Sequence, residues 1–248
     1  LETGAPLVFI NSLGTDFRIW DNLIPHFAAR FAIVRYDKRG HGWSDCPPGP
    51  YTIHDHAEDL AGLLAHLKID RAILVGISVG GMIALDYTLH HPQAVGALVL
   101  CDTGAKIGTP AFWIERAEAI RKQGMESLAD AIVGRWFTPA FARQHPAEYR
   151  GYYHMLLRAP VIGYVATCAA LRDGDLRESV GKIEAKTLVL CGAEDMATPP
   201  DLARELAASL KNARCEIIDG AAHLPCIEQP DALAAKMTAF FRENGYGG

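Results

Sequence analysis

Along this chain, short and nearly continuous apolar runs alternate with longer stretches of mixed polarity. Leu7-Val8-Phe9-Ile10, Phe31–Tyr36, Ala72–Val75 and Ala97–Cys101 are runs of the kind that form strands buried on both faces of a parallel sheet. The stretches between them read as helices. One is expected around Trp20–Ala29. A second starts at Thr52, a residue suited to cap it, and places Ala57, Leu60, Ala61, Leu64 and Leu67 on one face. A third covers Met82–Tyr87. The alternation stops after Asp102. From Thr103 to about Val180 the pattern is helical and rich in aromatics, with no convincing strand. It resumes with a strand at Thr187–Cys191, a helix over Asp201–Leu210, a strand at Cys215–Ile218 and a last helix from Pro230. The expected fold class is α/β, a doubly wound and mostly parallel sheet. Residues 1–102 and 181–248 would form the core, and 103–180 a helical cap inserted between sheet strands.

The chemistry concentrates where strands end. Val75-Gly76-Ile77-Ser78-Val79-Gly80-Gly81 carries a Gly-x-Ser-x-Gly pattern between a strand and a helix. So sharp a turn strains the serine backbone, and glycines on either side let strand and helix approach closely. The Ser78 hydroxyl would then sit at a helix N-terminus, where free N–H groups favour developing negative charge. A serine nucleophile needs a base, and the base needs an orienting acid. On this kind of sheet they follow in the order Ser, acid, His, each at a strand's C-terminal end. His223 follows the strand Cys215–Ile218 and is the expected base. Asp195 follows the strand Thr187–Cys191 and is the favoured acid, for its loop position and chain order. Asp102, which also ends a strand, and Glu194, beside Asp195, are the alternatives. An oxyanion hole needs two backbone N–H groups. Val79, after the serine, would supply one, and Leu13, in the loop Asn11–Asp16 after the first strand, the other.

Composition narrows the class further. The chain has 248 residues, half of them hydrophobic, enough for a substantial core in one α/β domain with an insertion. The net charge of −5 argues against nucleic acid or an anionic membrane as a partner. No apolar run reaches a membrane-spanning length, and no signal peptide is visible. The six cysteines are scattered, without a Cys-x-x-Cys pair. Cys101 and Cys191 close predicted strands and read as small core residues, which places the protein in the reducing cytoplasm. His54 and His56 read as surface residues in the first turn of a helix. Two positions apart, they do not face each other, and no metal site is expected. The stretch 103–180 holds ten Lys/Arg against eight Asp/Glu, and nine of the 21 aromatics. A mildly basic, aromatic cap over a serine suits a small, anionic, partly apolar ligand, although most of these aromatics are needed for the cap's own packing.

With the elbow, Asp195 and His223 in this order, the chain resembles the α/β-hydrolase superfamily. More narrowly, it is similar to the 3-oxoadipate enol-lactonases. The likeness rests on Asn11-Ser12-Leu13-Gly14-Thr15-Asp16, Gly76–Gly81, Lys106-Ile107-Gly108-Thr109, Arg135-Trp136-Phe137-Thr138-Pro139 and Ala193–Pro200, and covers nearly the whole chain. The two cap segments are its narrower part, because the elbow is common to many hydrolases. That family usually has a β-hairpin before the first core strand, for which this chain begins too late. Some relatives carry a fused carboxymuconolactone decarboxylase domain, for which it ends too early. The resemblance implies ring opening of 3-oxoadipate enol-lactone to 3-oxoadipate in the β-ketoadipate route of aromatic degradation, with no metal or organic cofactor. A carboxylate-bearing substrate needs a local cation in a net-negative protein. Arg135 is the first candidate and Arg116 the second, with Trp136 against the lactone ring. Two other readings stay open on this scaffold. One is a carboxylesterase or carbon–carbon bond hydrolase, since fold and triad do not set substrate. The other is a ligand receptor.

Overall fold

A computed structural model describes residues 4–247. Six parallel strands form one sheet: β1 (Ala5–Ile10), β2 (Phe31–Arg35), β3 (Ala72–Ile77), β4 (Val95–Cys101), β5 (Lys186–Gly192) and β6 (Ala213–Ile218). Their order across the sheet is β2-β1-β3-β4-β5-β6. Each strand extends one or more residues past its apolar run at one end at least, except β2, which stops at Arg35. Leu7–Ile10, β3, and Leu188–Gly192 are buried throughout, as strands covered on both faces must be.

The chain leaves β1 to make β2 on one side and returns to make β3 on the other. That reversal opens a crevice at the carboxyl ends of β1 and β3, the usual place for a ligand in such sheets. The helix expected around Trp20–Ala29 is a 3₁₀ turn over Phe17–Leu23 followed by a one-turn helix, α1 (Ile24–Phe27). Thr52 caps α2 (Ile53–His66) in a capping box with Asp55. α3 (Val79–His90) follows the elbow and is buried along nearly all its length. It is apolar all round because it has neighbours on every side.

His56 corrects the sequence reading. It is 1 % exposed and lies 3.4 Å from the Thr167 hydroxyl, whereas His54 is exposed and bonds Asp86 through Nδ1 at 2.9 Å. The reason is helical spacing: Ile53, His56, Leu60 and Leu64 share one inward stripe, and His54 falls outside it.

Between β4 and β5 lie five α-helices, a 3₁₀ turn at Val180–Lys182 and no strand: the α-helices are α4 (Pro110–Gln123), α5 (Glu126–Trp136), α6 (Pro139–Gln144), α7 (Pro146–Leu157) and α8 (Val161–Asp173). The core then closes with α9 (Pro200–Ser209), a short α10 (Pro225–Glu228) and α11 (Pro230–Glu243). Lys106 straps the start of the helical stretch to its end, donating to the carbonyls of Arg172 and Gly174 at 2.8 and 2.9 Å. All six cysteines are free, and Cys101 and Cys191 are buried. No single helix among the described residues is long and apolar enough to cross a membrane.

The elbow tolerates no Cβ at its glycines. One on Gly76 would meet the Gly80 carbonyl oxygen at 2.3 Å, and one on Gly80 the Ile10 carbonyl oxygen at 2.2 Å. By contrast, a Cβ on Gly62 in α2 meets nothing within 4 Å. Gly80→Ala is therefore expected to destabilise the protein by about 1–3 kcal/mol or more, since the neighbouring backbone must shift. Gly62→Ala is expected to stabilise it by about 0.5–1 kcal/mol. Thermal unfolding of the two variants checks both signs.

Candidate active site

Four strand ends supply the site. Ser78 follows β3 with φ 58° and ψ −124°, a left-handed conformation unusual for a residue with a Cβ. Neighbouring chain holds it there: the Ser78 N–H donates to the Cys101 carbonyl at 3.0 Å, and the Thr103 hydroxyl donates to the Ser78 carbonyl at 2.6 Å. Asp195 and His223 come from the loops after β5 and β6, which pair in register up to Gly192 and Ile218. The His223 Nδ1 lies 2.8 Å from Asp195 Oδ2, and both residues are 3 % exposed. With Nδ1–H donated to the carboxylate, Nε2 is the basic nitrogen.

Asp195 is held as a carboxylate. Its Oδ1 accepts the N–H groups of Ala197 at 2.7 Å and Thr198 at 3.1 Å, and its Oδ2 accepts the Thr198 hydroxyl at 2.6 Å. Burial acts to raise its pKa, but the His223 imidazole and these donors outweigh burial and hold it below the ordinary range. Glu194, the adjacent alternative, is exposed and makes no bond to His223 among the described residues.

Asp102 is wholly buried at the end of β4, with φ 47°. Its Oδ1 accepts the Gly192 N–H at 2.8 Å, and it has no hydrogen bond to His223. Its Oδ2 has no donor, and Asp195 is its close carboxylate neighbour. Burial, then the charge of Asp195, pushes its pKa well above the ordinary carboxylate value. Protonation would turn that orphaned oxygen into a donor. Two carboxyls one strand apart are thus shifted in opposite directions.

Ser78 and His223 line one cavity of about 60 Å³, together with Ser12, Leu13, Thr198 and cap residues Trp113, Arg116, Arg135, Trp136 and Tyr164. No hydrogen bond joins Ser78 to His223 among the described residues, although both line the cavity. The N–H of Leu13 has no acceptor among the described residues, and that of Val79 is the first of α3, which has no intrahelical partner. Sequence reasoning ranked Arg135 ahead of Arg116. Arg135 is exposed at the cavity mouth, whereas Arg116 is half-buried, stacked over Phe112 and Trp113 and 3.5 Å from the Tyr164 hydroxyl. Neither guanidinium pairs with a carboxylate among the described residues.

Glu228 was not anticipated. Its carboxylate accepts the Thr138 N–H and hydroxyl, both at 2.8 Å, and the Ala222 N–H at 2.6 Å. The Leu224 N–H donates to the Trp136 carbonyl at 3.1 Å. The cap beside Trp136 is therefore fastened to the loop that carries His223.

The family model described as alpha/beta hydrolase fold matches residues 5–156, and one described as TAP-like protein matches residues 159–246. The chain belongs to the α/β-hydrolase family and is a hydrolase. It is 35% identical over 227 residues to 3-oxoadipate enol-lactonase 2 of Acinetobacter baylyi, covering 92% of this chain and 85% of that protein. It is 31% identical over 241 residues to 3-oxoadipate enol-lactonase 1 of the same organism, covering 97% and 90%. The crystal structure of the enol-lactonase from Burkholderia xenovorans superposes with a TM-score of 0.95 at 35% identity, covering 97% of this chain and 92% of that one.

The two buried carboxyls carry opposite signs in stability. The folded state keeps the Asp102 proton over a range in which the unfolded chain has lost it. Its contribution to stability therefore falls as pH rises above the ordinary value of about 4. Asp102→Asn keeps the acceptor to Gly192, supplies a donor toward Asp195 and tolerates positive φ. Its unfolding temperature is expected to exceed that of the wild type by a margin that widens from pH 5 to pH 8, as measured by calorimetry.

Proposed function

We propose that the chain opens the ring of 3-oxoadipate enol-lactone as a serine hydrolase, giving 3-oxoadipate in the β-ketoadipate route of aromatic degradation. The observation that carries the reading is the cavity itself. It sets a serine and an imidazole already bonded to a carboxylate beneath two guanidinium groups with no carboxylate of their own. Such a cavity suits an ester that also bears a negative charge. The names of the relatives add the particular lactone.

In this mechanism His223 Nε2 takes the Ser78 proton as Oγ attacks the lactone carbonyl. Asp195 holds the ring tautomer and stabilises the imidazolium that forms. The N–H groups of Leu13 and Val79 receive the oxyanion. Ring opening expels an enolate, a good leaving group, which His223 protonates and which tautomerises to the ketone. His223 then activates water to release the diacid from Ser78. The substrate carboxylate pairs with Arg116 inside the cavity and Arg135 at its mouth, and the buried Trp136 forms wall against the ring.

Loss of the ultraviolet absorbance of the conjugated enol-lactone is the direct assay. Ser78→Ala is expected to slow it by about 10⁴–10⁶-fold. Equal rates would remove the mechanism. Arg116→Gln is expected to raise KM for the lactone about 10-fold while leaving KM for a neutral aryl acetate unchanged. An enzyme that hydrolyses the aryl ester far better than the lactone would remove the substrate assignment and leave the serine chemistry in place.

A further inference from the structure

We propose that Lys38 is a positioning residue for the oxyanion hole, setting the plane of the Ser12–Leu13 peptide from behind. The inference rests on the serine mechanism above. Lys38 follows β2 and is 1 % exposed, among the largest fully buried side chains of the protein. Its Nζ donates to the Ser12 carbonyl oxygen at 2.6 Å. The same oxygen accepts the Thr15 hydroxyl at 3.0 Å and the Thr15 N–H at 3.4 Å.

The Ser12 carbonyl and the Leu13 N–H belong to one planar trans peptide, so they point in opposite directions. Donors gathered on the oxygen therefore fix where the N–H points. Both residues line the cavity that holds Ser78, and the Leu13 N–H is left without a protein acceptor among the described residues. Rotating this peptide would strip three donors from a buried carbonyl and leave the lysine unpaired, which is costly in a dry interior. An ammonium on the carbonyl oxygen also polarises the amide and strengthens the N–H as a donor.

Stability alone gives little reason for the arrangement. Lys38 has no salt bridge among the described residues. The nearby carboxylates are engaged elsewhere, Asp16 with Arg18 and Asp37 with the N–H groups of Phe17 and Trp43. His41 and His56 are buried in the same region, and burial drives both toward the neutral form. Burial lowers the Lys38 pKa to about 7, against the opposing pull of Asp37 and Asp16. A buried amine whose hydrogen-bond acceptor is a carbonyl is poorly compensated as a structural element. Its placement is explained by what the carbonyl's peptide does on its other side.

Lys38→Met keeps an unbranched side chain one atom shorter and without the charge, and Thr15→Val removes the hydroxyl donor from the same carbonyl. Both are assayed with an aryl ester and with an arylboronic acid. The boronic acid forms a tetrahedral adduct on a reactive serine and places an oxygen in the hole. Lys38→Met is expected to lower kcat about 10- to 100-fold with KM within about twofold of wild type. Boronate affinity should fall by the same factor as kcat/KM, because both read binding of the tetrahedral state. Thr15→Val should change the same two quantities in the same direction by about 3- to 10-fold, and it decides the matter if Lys38→Met does not fold. Unchanged kcat and boronate affinity in the folded variants would overturn the inference, as would a loss of turnover with boronate affinity intact. Ser78→Ala with wild-type turnover would instead overturn the serine mechanism on which it rests.

Discussion

The left-handed backbone at Ser78 is the constraint on which the site depends. A serine with φ 58° does not hold itself there. The sheet holds it, through the Cys101 carbonyl on one side and the Thr103 hydroxyl on the other. Both belong to β4 or the residues just after it, so the strand beside Ser78 is also its brace. The glycines complete the arrangement by what they lack. With no Cβ at Gly80, α3 can begin against the Ile10 carbonyl, at the mouth of the loop that carries Leu13. Strain, close packing and proximity to the second amide are thus one geometric fact.

The same register separates Asp102 from Asp195. Both are buried at the ends of adjacent strands, and either residue type could orient a histidine. The difference lies in the donors around them. Asp195 sits in a turn that offers two N–H groups, a hydroxyl and the imidazole. Asp102 is offered one N–H and a carboxylate neighbour. The imidazole and several donors lower the pKa of the first, and the scarcity of donors leaves burial and the neighbouring charge to raise that of the second.

This division explains what could and could not be read from the residues in order. The buried strands, the elbow and the helical stretch after Asp102 were legible because each is a local pattern: an apolar run, two glycines about a serine, a change of period. Asp195 and His223 were legible by chain order. What escaped was set by partners distant in sequence. Glu228 lies on a four-residue helix and gains its meaning from Thr138, 90 positions earlier. Lys38 reads as one more loop cation until the Ser12 carbonyl is placed against it. His56 is the exception, since its stripe with Ile53 and Leu60 was visible. A histidine on an apolar stripe reads as a surface residue when residue type is weighed above spacing. Arg116 and Arg135 look alike in sequence and differ only in depth.

Glu228 connects recognition to chemistry. The residues at and just after the end of α5 do two things: Arg135 and Trp136 line the cavity, while Thr138 donates to Glu228, which also accepts the Ala222 N–H, and the Trp136 carbonyl accepts the Leu224 N–H. His223 is the middle residue of the segment Ala222–Leu224. A displacement of the chain at Trp136 would therefore disturb the imidazole, because a half-buried carboxylate with three donors resists releasing any of them. Burial pushes the Glu228 pKa up, and those same donors oppose the shift. The helical stretch between β4 and β5 thus supports the His223 segment as well as lining the cavity. The floor of the cavity is braced in the same manner by Lys38. Residues that line the cavity are held by two that do not, the His223 segment through Glu228 and the Ser12–Leu13 peptide through Lys38.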